Sequence, residues 1–455
     1  MMSSLRSALY TCVKPICSYV FHVLTGTDTH EIEGDGEQTR ITWLPDEIWF
    51  RILIYVPAEN LQRLKLVCSS WRKEITSNKF QALHLERLLS IPRHGVIAKT
   101  VLRKRRPRAY SVKDYRTSYL NFELNSEHER IHSHSMQLEG LVRYLTHRCH
   151  GMQQSDDMEI HVNDSCDGII LAEVLGYYSS ENVIMLLVCN PITRCYKLLP
   201  FWNSPVRYHT RWRIVRSTSV GRYKIVGLFE SLYSIDCHIH DFVLDKQKGS
   251  WASWKKLCSP RTASCYFIGA SLYANGKLYW LTKPHDSVER NSESCMLSLD
   301  IATEKLNVTT RFPEPYPTTH WWYRSQLTSN GMFYQMYYTY DVSPDRPDKM
   351  EVWVLKDLDN PVWIRHRVIS LPAHGNFVHA TDSQSAATLA TDTKLIAILD
   401  GDNYLVFTMD SGARMFMCDM RSSEWKEIAM DFREFAVVHA TNDVHHVGSL
   451  ISWTK

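Results

Sequence analysis

The chain has 455 residues, is 44% hydrophobic and 22% charged, and carries a formal net charge of +3. That length holds two or three domains, and a hydrophobic share of this size fills a large core. So small a positive excess makes no electrostatic case for nucleic acid, and no apolar run reaches the ~18 residues that a membrane-spanning helix needs.

In chain order, residues 1–40 read as a variable segment. Its most apolar stretch, Leu5–Leu24, is broken by Arg6, Lys14, Pro15 and His22 and lacks a small-residue cleavage site. An interfacial helix, or a lipid anchor at Cys12 and Cys17, is the alternative for this stretch. The 12 cysteines contain no Cys-x-x-Cys pair, and many sit in strand-like runs such as Leu187-Val188-Cys189. Buried free thiols in a reducing cytoplasm and/or nucleus are expected, with no metal and no cofactor.

From Trp43 the pattern turns helical. Pro45 suits a first helical position, and Asp46 and Glu47 place negative charge at the positive end of the helix dipole. Ile48, Ile52 and Val56 recur every four residues, with Trp49 and Leu53 beside them, and Pro57 ends the helix. Asn60 is read as the N-cap of a second helix, Leu61–Val67, in which Leu61, Leu64 and Leu66 supply apolar contacts. A third short helix runs through Trp71 and Ile75. Three helices in about 45 residues bury too little surface to be very stable alone, and a broad apolar face on such a unit invites a partner.

Leu44-Pro45-Asp46-Glu47-Ile48, then Ile52-Leu53, Val56-Pro57, Leu61, Val67-Cys68 and Trp71 resemble the F-box pattern, which sets this unit at residues 41–86. The resemblance implies docking onto a Skp-type adaptor, and through it onto a cullin. It further implies that Leu44, Pro45, Ile48, Ile52, Leu53, Val67, Cys68 and Trp71 face that adaptor or support the face.

Residues 87–108 read as a linker. Its basic run, Lys99–Arg108, is either a solvated face or a patch for phosphate or nuclear import. Residues 109–455 carry repeats. An apolar strand, a polar turn with Asp or Asn, and a second strand recur in six copies, from Ala109–Leu124 to Met415–Ile428. The turn residues Asn190, Asp245, Asp300, Asp357 and Asp419 lie roughly 55–62 residues apart, a spacing suited to propeller blades. A second unit, a turn followed by a dense β-forming run, precedes most copies, as in 167–173, 223–230, 275–282, 330–337 and 393–400. Asn275-Gly276 and Asn330-Gly331 are strong hairpin turns, because both central residues tolerate positive φ.

The first copy lacks a preceding unit, and the last strand-like run, Val444–Ser452, lacks a following one. A ring resolves both defects when the two chain ends share a blade. The expected fold is therefore multidomain: a small all-α unit of three helices, then an all-β propeller of six blades closed by the C-terminus. The Cys166-Asp167-Gly168, Asn190-Pro191-x-Thr193 and Asn275-Gly276-Lys277-Leu278-Tyr279-Trp280 stretches resemble the kelch-like, F-box-associated domains of plant F-box proteins. The Gly-Gly doublet of true kelch repeats is missing.

With blade strands a to d, the Asp and Asn turns lie on one face of the ring, and the b–c and d–a loops lie on the other. Insertions are expected in b–c loops at Val174–Asn182, Lys283–Ser294 and Thr339–Lys349. Trp321 and Trp322, placed in a d–a connection, are the candidate target-binding residues. No phosphate-binding loop, nucleophile elbow or zinc-helix motif is present in the sequence. The resemblance implies a non-catalytic, substrate-recognising subunit of a Skp–cullin–F-box ubiquitin ligase that captures an unknown target protein. A scaffold working outside a ligase, and a propeller that senses a small ligand, are the alternatives.

Overall fold

The computed structural model describes residues 46–90, 95–102, 115–124, 129–135, 159–178, 181–199, 210–217, 222–230, 235–244, 253–257, 265–284, 293–309, 312–313, 321–329, 331–339, 349–370, 394–399, 403–409, 414–428, 435–445 and 449–452. The chain divides into two compact units. One comprises Met1–Ile91 with Gly448–Ser452, and the other comprises Pro92–Val447 with the last three residues.

Among the described residues, four helices form the first unit: α1 (Asp46–Leu53), α2 (Ala58–Leu64), α3 (Ser69–Ile75) and α4 (Asn78–Ser90). Helix α2 starts at Ala58, with Pro57 at its N-cap, so Asn60 lies inside the first turn and caps nothing. Cys68 caps α3 by accepting a hydrogen bond from the Trp71 amide at its Sγ, 3.4 Å away. The fourth helix extends past residue 86 to Ser90, where sequence reading ended the unit; its run Phe80–Leu89 is apolar at helical spacing. Leu53, Val56, Ala58, Leu61, Leu64, Ile75, Phe80 and Leu85 are buried here. So are Ser449, Leu450 and Ile451, which belong to this unit although they lie near the end of the chain.

The second unit consists of antiparallel sheets. Strands β1 (Gly95–Leu102), β2 (Tyr115–Leu124) and β3 (Glu129–Ser135) come first. Then follow β4 (Glu159–Cys166), β5 (Ile169–Tyr178), β6 (Glu181–Asn190) and β7 (Cys195–Leu198). The next group is β8 (Thr210–Arg216), β9 (Arg222–Glu230), β10 (Ile235–Val243) and β11 (Lys255–Leu257). It is followed by β12 (Cys265–Ala274), β13 (Lys277–Pro284), β14 (Glu293–Asp300) and β15 (Leu306–Val308), with β16 (Phe312–Pro313) pairing β14. The last groups are β17 (Trp321–Ser329), β18 (Met332–Thr339), β19 (Lys349–Leu355) and β20 (Trp363–Ser370), then β21 (Lys394–Leu399), β22 (Tyr404–Met409), β23 (Arg414–Asp419) and β24 (Trp425–Glu427). Among the described residues, five sheets are thus contiguous in sequence. A sixth joins β25 (Phe435–His445) to β1, in the order β25-β1-β2-β3.

The first strands line up around a ring: β25 packs on β4, β4 on β8, β12 on β17, β17 on β21 and β21 on β25. The sheets of β8 and β12 share one core, in which Val226 and Cys237 meet Leu278 and Trp280. Apolar side chains thus fill the spaces between blades, and pairing the two chain ends gives β1 a partner on both sides.

Several expectations shift. The segment read as a linker, 87–108, contains the end of α4 and strand β1, because Val96, Ala98 and Thr100 alternate in register with β2. The first hairpin does not turn at Lys113–Thr117: residues 115–117 lie in β2, and β3 follows it. The run Lys394–Leu399 is the first strand of its sheet, not the second. The final strand ends at His445, and the following segment joins the helical unit.

The recurring Asp and Asn turns have one physical cause. Oδ1 of Asn190 accepts from the Ile192 amide at 3.0 Å, Oδ1 of Asp300 from Thr303 at 2.7 Å, and Oδ1 of Asp357 from Asp359 and Asn360 at 2.9 Å. Oδ1 of Asp419 accepts from Arg421 at 2.7 Å. Three of these turns leave through a residue of positive φ, namely Arg194, Glu304 and Ser423. The a–b turns use Asp167-Gly168 and Asn275-Gly276, both residues of each pair at positive φ.

Truncating a buried aliphatic side chain leaves a cavity costing about 2–5 kcal/mol. Leu450→Ala should therefore loosen the helical unit of the full-length chain, read as faster amide exchange in α1–α4 with the blades unchanged. Unaltered exchange in those helices would show that the terminal segment does not stabilise them.

Candidate protein-docking face

Helices α1 and α3 are joined by Trp49 and Trp71, whose rings lie 5.3 Å apart at a tilt of 55°. Among the described residues of these helices and their connections, apolar side chains reach the surface. Ile48 is 39% exposed, Ile52, Val67 and Trp71 are half-buried, and Cys68 is exposed. Leu66, between α2 and α3, is 77% exposed. Single exposed apolar residues are ordinary, but a cluster on a unit this small is a docking signature.

The sequence-predicted residues divide by role. Ile48, Ile52, Val67, Cys68 and Trp71 reach the surface. Leu53 is buried at 2%. Leu44 and Pro45 lie outside the described residues. Leu66, read from the sequence as one of the apolar contacts of the second helix, is on the outside: Leu61 and Leu64 take the buried stripe of α2, and Leu66 falls beyond its last turn.

Behind the face, His84 of α4 donates Nε2–H to the Val56 carbonyl at 2.9 Å and stacks on Phe80, which meets Phe50 edge-on at 5.4 Å. This bond ties α4 to the end of α1. Burial lowers the His84 pKa, the Val56 bond opposes the shift, and the charge on Arg87 adds to it. Arg87 itself lies over the Tyr55 ring, 4.1 Å from its centroid.

The blades carry buried charge, which sequence reading missed. Asp164 of β4 accepts from the Ile214 amide at 2.7 Å and pairs with Arg213 at 3.1 Å, both on β8. Asp167 holds Arg216 at 2.8 Å and the Tyr223 hydroxyl at 3.1 Å. Burial raises the Asp164 pKa, and Arg213 opposes it. Glu304 bonds both Lys224 and Lys255, which lowers its pKa. Each group joins one blade to the next, so these carboxylates are structural. Burial pushes the Cys189 and Cys237 thiols up to about 12, far from a thiolate nucleophile. Among the described residues no cluster of His, Cys, Asp and Glu could hold a metal ion.

The predicted loop residues move. Trp321 and Trp322 are the first residues of β17, an innermost strand, and not part of a connection; Trp322 is passed over by a register shift against β18. Val174–Asn182 is no insertion, since β5 runs to Tyr178 and β6 begins at Glu181. Most of 283–294 and 339–349 lies outside the described residues.

The chain matches the F-box domain over residues 41–82 and the F-box associated beta propeller domain over residues 119–444. It belongs to the F-box associated β-propeller family. A protein of Arabidopsis thaliana named for an F-box and kelch repeats is 24% identical over 270 residues, covering 58% of each chain. A second Arabidopsis protein, named for an F-box, is 23% identical over 257 residues, covering 54% of this chain and 56% of its own length. The chain thus spans less than two thirds of these relatives. Among solved structures, an α-L-arabinanase of Penicillium chrysogenum is 12% identical with a TM-score of 0.34, covering 62% of this chain and 82% of its own.

The lowered pKa of His84 sets a pH dependence. The folded unit refuses a proton that the unfolded chain accepts below its ordinary value near 6.5, so this contribution is complete above about pH 6.5 and is lost as pH falls. Corrected for the intrinsic slowing of exchange as pH falls, amide exchange in α4 should accelerate from pH 7 to pH 5. His84→Gln, which retains an N–H donor, should flatten that change; an equal acceleration in the variant would assign it elsewhere.

Proposed function

We propose that this protein is the substrate-recognition subunit of a Skp–cullin–F-box ubiquitin ligase. In this reading the face around Ile48, Leu66, Val67 and Trp71 docks on a Skp-type adaptor, and the propeller holds the target protein. The observation that carries it is the F-box match over 41–82 together with an uncovered apolar face on α1 and α3. Each buried aliphatic side chain contributes about 1.5–3 kcal/mol, part of which offsets the cost of association. Leu44 and Pro45 join this surface by resemblance.

The protein itself performs no catalysis in this account; ubiquitin transfer belongs to other subunits, and no cofactor is needed. The free thiols of Cys68, Cys166, Cys189, Cys195, Cys237, Cys295 and Cys418 suit a reducing compartment, the cytoplasm and/or nucleus. Among the described residues no helix is long and apolar enough to cross a membrane. Trp321 and Trp322, on the inner strand β17, are proposed to take part in target capture.

Affinity capture from cells under proteasome inhibition tests this reading. The intact chain should recover a Skp-family adaptor and a cullin. Ile48→Glu/Leu66→Glu should lose both by tenfold or more while retaining target proteins, and Trp321→Ala/Trp322→Ala should show the reverse. Undiminished adaptor recovery by the first variant contradicts the docking face, and an adaptor recovered without cullin supports the scaffold reading instead.

A further inference from the structure

Among the described residues the outer strand of each blade pairs on one side only, and β20 differs from most of its counterparts. β7 has 4 residues and β11, β15 and β24 have 3 each, whereas β20 has 8; β3, with 7, is the nearest to it. Short outer strands deny an incoming chain a ladder of backbone hydrogen bonds, and a long one offers it. This edge is also apolar: Val362, Ile364 and Val368 are 64%, 52% and 40% exposed.

The register fixes which way its side chains point. Ile364 lies opposite Val354, Arg365 opposite Trp353, Arg367 opposite Val352 and Val368 opposite Glu351, with His366 passed over as a bulge. Side chains alternate between faces along β19. Ile364 and Arg367 therefore share the face of Val352 and Val354, which line the core with the following blade. Arg365 and Val368 share the opposite face, that of Trp353, which packs against the core with the preceding blade. The bulge thus gives each face of the edge one aliphatic side chain and one guanidinium. Both arginines are exposed, and among the described residues neither has a carboxylate partner.

We propose that this edge accepts an extended segment of a partner protein as an added strand, with the pattern apolar–acidic–acidic–apolar. A strand repeating the register of β19 places four consecutive residues opposite Ile364, Arg365, Arg367 and Val368. Backbone hydrogen bonds supply the affinity of such additions, and flanking side chains supply the selectivity. Two carboxylates would meet the two guanidiniums on opposite faces, in bidentate pairs that strengthen at low salt. The edge is the outer rim of its blade, three strands from Trp321 and Trp322, so the inference does not depend on their role.

Fluorescence anisotropy with the full-length chain tests it, using labelled Thr-Val-Glu-Glu-Val-Thr and Thr-Val-Lys-Lys-Val-Thr peptides. The glutamate peptide should bind at least tenfold tighter than the lysine peptide, and raised salt should narrow the gap. Arg365→Glu/Arg367→Glu should reverse the preference, and Arg365→Gln/Arg367→Gln should abolish it, while both variants still capture the adaptor. Equal binding of the two peptides, no binding of either, or a preference unchanged by the charge swap would overturn the proposal. Lost adaptor capture in these variants would point to a disturbed fold in place of a lost edge site, and would count against β20 being a free surface.

Discussion

A helical unit of some forty-five residues cannot cover its own apolar surface, and much of this protein's organisation follows from that shortage. One part of the deficit is met from within the chain. Ser449, Leu450 and Ile451 are buried in the unit that begins with α1, although almost the whole sequence separates them from it. Another part is left open around the Trp49–Trp71 contact, where Ile48 and Leu66 reach solvent. The apolar side chains that reach solvent among the described residues are the physical basis of the proposed docking role.

The ring of sheets answers the same problem for strands. An unpaired edge is a template for uncontrolled pairing. Joining β25 to β1 pairs the edge of β1 that would otherwise lie open, and most described outer strands are kept to three or four residues. Buried carboxylates then suture neighbouring blades: Asp164 and Asp167 reach across to Arg213, Arg216 and Tyr223. Removing one partner of such a group leaves a buried charge unpaired, which is strongly destabilising.

Local chemistry made much of this legible in the sequence. Turn residues announce themselves, because Asn190, Asp300, Asp357 and Asp419 bond amides only two or three residues ahead. The four-residue recurrence of Ile48 and Ile52 likewise located α1. What the sequence hid was decided by distant partners. β1 was masked by the basic residues that follow it, and only pairing with β2 and β25 explains its order. Leu66 has the composition of a core residue, yet it lies past the last turn of α2 and is exposed. Trp321 and Trp322 lacked a turn signal to separate loop from strand and were placed one element too early. The tail Leu450-Ile451 carries no periodicity, and its destination depends on a helical unit at the opposite end of the chain.

The central claim is that the α1–α3 face is open in the free protein and is covered by a second protein. Amide hydrogen exchange of the full-length chain, alone and with a purified Skp-type adaptor, measures this directly. The account predicts added protection in α1, in the Leu66–Cys68 connection and in α3, with the blades unchanged. Unchanged exchange across those helices at saturating adaptor would contradict it.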